Sequence, residues 1–279
     1  MDLNSIVVIL FLIGFNLFFY EYFVKILNKF YPKILVDDQF KKPQAFHDYP
    51  ISTTGGLGIY VSFLIIFFNL FFFKSTLFSS YLYFCTLFFL VGFAEDIIKN
   101  IFPKIRLLIM IIFLVILIQY TNLKLDNTGI TVINELLNNS EIFSLFFICL
   151  CFLFIIDGTN LIDGYNGLLG IHSFIIIINL FFINLFNGNN ELSYLLFMQL
   201  IILLIFLKYN FPKARVFLGD GGSYFLGAFI ALSTIKTSIA NPEISPFYFC
   251  ILLFYLFFEV FFSFLRKILK EKKISNTSR

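Results

Sequence analysis

Apolar runs of about twenty residues recur along nearly the whole of this 279-residue sequence, and a run of that length crosses a bilayer as a helix. They fall at about residues 5–27, 55–73, 75–93, 105–120, 142–156, 167–186, 191–207, 222–239 and 247–265, roughly nine candidate spans. Charged residues make up 13% of the chain and hydrophobic ones 59%, which leaves too little polar surface to coat a water-soluble globule. The predicted fold class is an all-α polytopic membrane protein, with residues 1–279 forming one transmembrane domain. No soluble domain fits between the spans, and no internal repeat is evident. The first run follows Met1-Asp2-Leu3-Asn4, without Lys or Arg before it or a small-residue cleavage site after it, and reads as a span, not a cleavable signal.

Lys and Arg stay preferentially on the cytoplasmic side of a membrane. Grouping the connections alternately places seventeen of the twenty on one side, among them Lys41, Lys99, Arg106, Lys213 and Lys267; only Lys74, Lys124 and Lys236 fall on the other. This predicts an external N-terminus and a cytoplasmic C-terminus. The longest outer connection, Thr121 to Glu141, is expected to form a small strand pair or to lie on the membrane surface. Cys85, Cys149, Cys151 and Cys250 all sit in apolar runs and read as small hydrophobic fillers.

Four polar motifs then share the cytoplasmic side. They are His47 to Gly56, Glu95-Asp96 with Lys99, Asp157 to Gly167, and Asn210 to Ser223. Each has an ordinary reading: Glu95-Asp96 as a hydrated helix end, Asp163-Gly164 and Asp220-Gly221 as turns. A turn does not need an acid at the membrane boundary in three separate loops, however, and an acid at such depth is costly. The third motif carries no Lys or Arg, so its acids lack partners close in sequence. Carboxylate oxygens of this kind suit Mg²⁺, commonly held by one or two carboxylates together with substrate phosphates. Lys99, one helical turn after Glu95, would share the charge of a diphosphate with the ion. Gly55-Gly56 and Gly219 to Gly222 let backbone approach a ligand.

Assembled in order, these loops resemble the polyprenyl-phosphate N-acetylhexosamine-1-phosphate transferases, also called glycosyl transferase family 4. The most specific parts are Asn160-Leu161-Ile162-Asp163-Gly164 and Phe217-Leu218-Gly219-Asp220-Gly221-Gly222-Ser223. The resemblance implies that Asp220 is the direct Mg²⁺ ligand, with Mn²⁺ as a substitute. It implies catalytic roles for Glu95, Asp96, Lys99 and Asp163, with Glu95 or Asp96 as base toward the lipid phosphate or holding it in line, Lys99 on phosphate and Asp163 near the metal and the nucleotide. It places His47, Asn160, Asn166, Asn210 and Phe217 among the substrate-binding residues, Asn210 and Phe217 against a uridine. Four positions depart from the pattern. Glu95 stands where Asp is usual, Asp157 where Asn is usual, Asn166 where Asp is usual, and Thr53 where Arg is frequent. The family's last cytoplasmic loop is His-rich and precedes one more span; here the sequence stops at Arg279, with His47 and His172 as its two histidines, and reads either as a truncated copy or as a variant that dispenses with that loop.

The implied reaction transfers a sugar-1-phosphate from a UDP-sugar to undecaprenyl (polyprenyl) phosphate, releasing UMP at the inner face of the bacterial cytoplasmic membrane. The partners are then the UDP-sugar, the polyprenyl phosphate and the bilayer, with no nucleic acid; a homodimer and a monomer are both compatible with the sequence. Two rival readings stand beside this one: an inactive truncated homologue, and a transporter or flippase. The second would place its acids near the bilayer midplane and often shows inverted repeats.

Overall fold

The computed structural model describes residues 3–30, 35–37, 50–71, 76–98 and 101–277. The chain opens with α1 (Leu3–Phe18), which continues through a π-helical turn, Phe19–Phe23, into α2 (Val24–Phe30). There follow β1 (Val36–Asp37), β2 (Ile51–Ser52), α3 (Gly55–Phe71), α4 (Thr76–Ile98), α5 (Pro103–Thr121) and α6 (Thr131–Asn139). The rest comprises α7 (Glu141–Ile162), α8 (Leu168–Phe186), α9 (Asn190–Asn210), α10 (Gly219–Ala240), α11 (Pro246–Leu252) and α12 (Phe254–Thr277).

Among the described residues, seven helices are long and apolar enough to cross a membrane, or eight if α11 and α12, bent by 61° at their junction, count as one span. The expected span at 55–73 is α3, whose apolar segment Gly55–Phe68 is shorter than the others. Local signals explain several boundaries. Pro103 sits in the first turn of α5, where its missing N–H costs nothing, and α5 ends at Asn122 in the left-handed region. The Ser140 hydroxyl accepts from the Phe143 N–H at 3.2 Å and caps α7.

The connection from Thr121 to Glu141 is not a strand pair. It contains helix α6, tied down where the Asn134 side chain accepts from the backbone and hydroxyl of Thr128, at 2.8 and 2.7 Å. Helix α7 also runs past the predicted residue 156 to Ile162, and α10 begins at Gly219 instead of residue 222. Both extensions add polar residues to helices because their side chains find partners on neighbouring helices.

Helix α10 is the axis of the bundle. Its apolar window is 78% buried, against 22% for α5, whose outer face is left to lipid. It packs chiefly on α4 and α7, with α3 and α8 beside them. Small residues make this closeness feasible, as expected where helices associate without a hydrophobic drive between them. Gly227 meets Ile156 and Thr159 of α7, and the Thr159 hydroxyl lies 3.0 Å from the Ser223 carbonyl, to which it donates. Gly92 of α4 faces the first turn of α10 so closely that a Cβ there would collide with the Asp220 carbonyl and lie 2.7 Å from Gly221 N. Backbone cannot swing aside as a side chain can. Gly92→Ala is therefore expected to cost about 1–3 kcal/mol, read as a lowered Tm in detergent. Gly14→Ala, where an added Cβ meets nothing within 4 Å, should leave Tm unchanged.

At one end of the bundle the short strands join two connections. Val36 pairs with Ser52 and Asp37 with Ile51, while Ser52 bridges to Val216. The Phe217 N–H donates to the Ser52 carbonyl at 2.7 Å, and the Gly55 and Gly56 N–H groups donate to the Phe217 and Leu218 carbonyls at 2.9 and 2.8 Å. The start of α3 is thereby fixed against the start of α10, where most of the expected site residues lie.

Candidate active site

The site is built on the first turn of α10. Gly219 has φ +76°, which favours glycine, and a Cβ there would lie 2.7 Å from the Thr53 carbonyl and 2.9 Å from Asp96 Oδ2. That turn leaves the next two amides pointing at Asp96 on α4. Asp96 Oδ1 accepts from the Asp220 N–H and Oδ2 from the Gly221 N–H, both at 2.9 Å. A carboxylate from another helix thus supplies the cap that the chain before α10 lacks, and its charge suits the positive end of the helix dipole.

The cap fixes the direction in which Asp220 leaves the helix. Asn160 of α7 donates through Nδ2 to Asp220 Oδ1 at 2.6 Å and lies 3.3 Å from the Ser223 hydroxyl. Three residues on, Asp163 ends α7. Burial, reinforced by the charges of Asp220 and Asp96, holds its carboxyl well above the usual carboxylate range. Glu95, Asp96, Asn160, Asp163 and Asp220, far apart in sequence, therefore gather at the ends of α4, α7 and α10.

The remaining expected residues form a layer beside this cluster. Asn210 is buried at the end of α9; its oxygen accepts from the Gly167 N–H at 2.7 Å and its Nδ2 donates to the Val216 carbonyl at 2.8 Å. Its amide therefore pins the start of α8 to the connection that carries Phe217. Asn166 donates to the Pro212 carbonyl at 3.3 Å on the same side. Phe217 is half-buried, its backbone locked between Ser52 and Gly55. His47 and Lys99 lie outside the described residues. His172 packs its ring edge-on against Tyr255, with centroids 5.3 Å apart.

Sequence reasoning missed a cation. Arg106, counted only for orientation, donates from Nη1 to both oxygens of Glu95, at 2.9 and 3.1 Å, and its Nη2 lies 3.9 Å from Asp157. Its guanidinium lies over the Tyr224 ring, 5.6 Å from the centroid, and the Tyr224 hydroxyl donates to Glu95 at 3.3 Å. Asp157, which has no Lys or Arg close in sequence, thus finds its counter-charge across the bundle, on α5. The missed signal was an Arg in the fourth position of an apolar helix, one turn inside the membrane boundary, where a charge facing lipid would be costly.

The donor set is suited to a hard divalent cation. Among the described residues no three His, Cys, Asp or Glu side chains stand together as a complete metal cage. Mg²⁺ does not need one, because it keeps waters and takes oxygens from substrate phosphates. Asp220, directed by Asn160, and Asp163, unfavourable as an anion beside its neighbours, are oxygen donors that fit such an ion.

The model of glycosyl transferase family 4 matches residues 78–238, from α4 through α10 and across every member of this cluster. The chain belongs to that family. A phospho-N-acetylmuramoyl-pentapeptide-transferase of Dictyoglomus turgidum is 34% identical over 108 residues, 38% of this chain and 34% of the relative. An undecaprenyl-phosphate alpha-N-acetylglucosaminyl 1-phosphate transferase of Thermotoga maritima is 31% identical over 126 residues, 45% of this chain and 37% of the relative. A phospho-N-acetylmuramoyl-pentapeptide-transferase of Clostridium botulinum is 26% identical over 202 residues, covering 68% of this chain and 60% of the relative. The chain thus spans between about a third and three-fifths of the length of these curated relatives.

Proposed function

We propose that this protein transfers a sugar-1-phosphate, specifically N-acetylhexosamine-1-phosphate, from a UDP-sugar to undecaprenyl or another polyprenyl phosphate, releasing UMP. The carrying observation is the arrangement of Asp220: a carboxylate at the start of the buried axial helix, held by Asp96 through the backbone and by Asn160 through the side chain, with Asp163 beside it. The gathering of these acids at one end of the bundle supports transfer at a membrane boundary, where a prenyl chain stays in hydrocarbon while its phosphate meets a soluble donor. The names of the relatives support transfer of a phosphosugar and, for the Thermotoga maritima protein, undecaprenyl phosphate as acceptor. The bias of Lys and Arg supports a cytoplasmic site, and bacterial relatives support the cytoplasmic membrane as its location.

In the reaction a phosphate oxygen of the lipid attacks the β-phosphorus of the donor. The new P–O bond forms as the bond to the bridging oxygen breaks, and UMP leaves with the electron pair. A lipid phosphate with a second pKa of about 6 is largely deprotonated at neutral pH, so alignment matters more than proton abstraction. Mg²⁺ bound at Asp220, with Asp163 as a second donor, would supply charge neutralisation of the diphosphate. Asp96 holds Asp220 in place, Asn160 orients its carboxylate, and Lys99 is assigned to phosphate from its sequence position alone.

The test is release of UMP from UDP-N-acetylhexosamines by purified protein with undecaprenyl phosphate and Mg²⁺. Release that requires the lipid phosphate is expected. Absence of release from every donor would sink the assignment, and solute flux into proteoliposomes without chemistry would favour a transporter.

A further inference from the structure

Glu95 adjoins the capping Asp96, yet its carboxylate turns to a different set of partners. Both its oxygens accept from Arg106 Nη1, and one also accepts from the Tyr224 hydroxyl. Arg106 reaches on toward Asp157, and its guanidinium covers the Tyr224 ring. One member comes from each of α4, α5, α7 and α10. The three charged side chains are only 19–29% exposed, so each charge depends on the others for compensation. Tyr224 stands one helical turn after Asp220, which ties this cluster to the turn that carries the proposed metal ligand.

A general base needs a lone pair aimed at its substrate and a basicity matched to the task. In Glu95 one oxygen accepts from Arg106 and the other from both Arg106 and Tyr224, so its acceptor sites are directed mainly into the cluster. We propose that Glu95 is a positioning residue and not the proton acceptor. With Asp157 it forms the fixed counter-charge of Arg106, and the resulting cluster sets the separation of α4, α5 and α7 around the first turns of α10. The inference rests on the reading of Asp220 as the centre of a phosphotransferase site.

A double-mutant cycle decides it, using Glu95→Gln, Arg106→Gln and the combined variant in the full chain. UMP release and Tm in detergent are measured for each, with kcat expressed per folded molecule. Arg106→Gln leaves Glu95 and Asp157 without their shared cation, and Glu95→Gln leaves Arg106 only its longer contact to Asp157. Each is expected to lower kcat about 10²-fold at nearly unchanged KM for the UDP-sugar, and to lower Tm. The double variant, neutral at both positions but with Asp157 still charged, should regain about tenfold in kcat over Arg106→Gln, and part of the Tm. The pH profile of Glu95→Gln should keep the wild-type shape at reduced height.

A double variant no better than Glu95→Gln, with the limb of the pH profile lost, would identify Glu95 as the base and overturn the proposal. A raised KM in Arg106→Gln without recovery in the double variant would overturn it too, by placing Arg106 on substrate. Unchanged kcat per folded molecule in the singles would make the cluster merely structural and equally overturn it. Should the neutralised singles not fold, Arg106→Lys replaces them: loss of kcat at constant KM supports the proposal, and wild-type kcat refutes it. If the wild type itself releases no UMP, the functional assignment fails separately. The Tm cycle then judges the cluster, with additive losses counting against it.

Discussion

Asp220→Asn is expected to lower kcat for UMP release by about 10²–10³-fold, the scale on which removal of one preorganised electrostatic contact slows an enzyme. The substitution is nearly isosteric, so the scaffold should survive it. The amide oxygen introduced there would still accept from Asn160 Nδ2, and the backbone N–H of position 220 would still donate to Asp96. What disappears is one negative charge at the place where a divalent cation and a diphosphate would meet. A second readout separates ion binding from chemistry. Mg²⁺ that binds only the folded protein should raise its stability, by about 2.7 kcal/mol at a hundredfold excess over Kd, and Asp220→Asn should lose most of that gain. Asp163 sets the sign of the pH dependence. Its folded-state pKa is raised, so the folded chain keeps a proton that the unfolded chain has already released. Without the ion, stability from this group falls as pH rises from the ordinary carboxylate range toward the raised value. An ion that needs the ionised form offsets that fall, so stabilisation by Mg²⁺ should grow over the same interval. Wild-type turnover and an unaltered Mg²⁺ response in the variant would remove Asp220 from the site.

The membrane class of the fold was legible because a period-free apolar run leaves few options in lipid, where backbone groups must be satisfied within the helix. Helix ends were legible only where a local signal marks them. Ser140 and Pro103 mark theirs; the end of α7 and the start of α10 that meet at the site are set by contacts that no window along the chain can see. Asp157 and Asn160 remain helical because Arg106 and Asp220 receive their side chains. Gly219 can start α10 because Asp96, 124 positions before Asp220, caps it. The same reason explains what was found of the site and what was missed. Acids at a membrane boundary are conspicuous one by one, so Glu95, Asp96, Asp163 and Asp220 could be named. Arg106 was not, because a basic residue on the cytoplasmic side already has an explanation in topology.

The departures from the family pattern acquire a physical setting here. Glu95 and Asp157, which differ in arm length and in charge from the usual residues, are the two acids that Arg106 contacts. Asn166 lies apart from them, against the Pro212 carbonyl. The added charge at 157 is thus balanced across helices by Arg106 of α5.

Asp96→Asn is expected to be almost as damaging to turnover as Asp96→Ala, although Asn is close to Asp in shape. The carboxylate receives two N–H donors from consecutive residues, one on each oxygen. An Asn side chain has one oxygen; its NH₂ would face the second N–H, donor against donor. One bond is lost outright, the other loses its charge assistance, and the favourable charge at the start of α10 is gone. Hydrogen bonds to charged groups are worth about 1.5–3 kcal/mol each, so a stability loss of about 2–4 kcal/mol is expected for Asn and slightly more for Ala. Activity should fall at least about 10²-fold in both, because a first turn that drifts by about 1 Å carries Asp220 with it. Asp96→Glu keeps both acceptors and the charge, but its extra methylene must be fitted beside Gly219, so it should retain most of the stability and a fraction of the activity. Tm and UMP release measured on the three variants decide between the cap and a direct chemical role. Loss of activity in Asp96→Asn with wild-type Tm would mean that the carboxylate acts on substrate and that α10 holds its first turn without it.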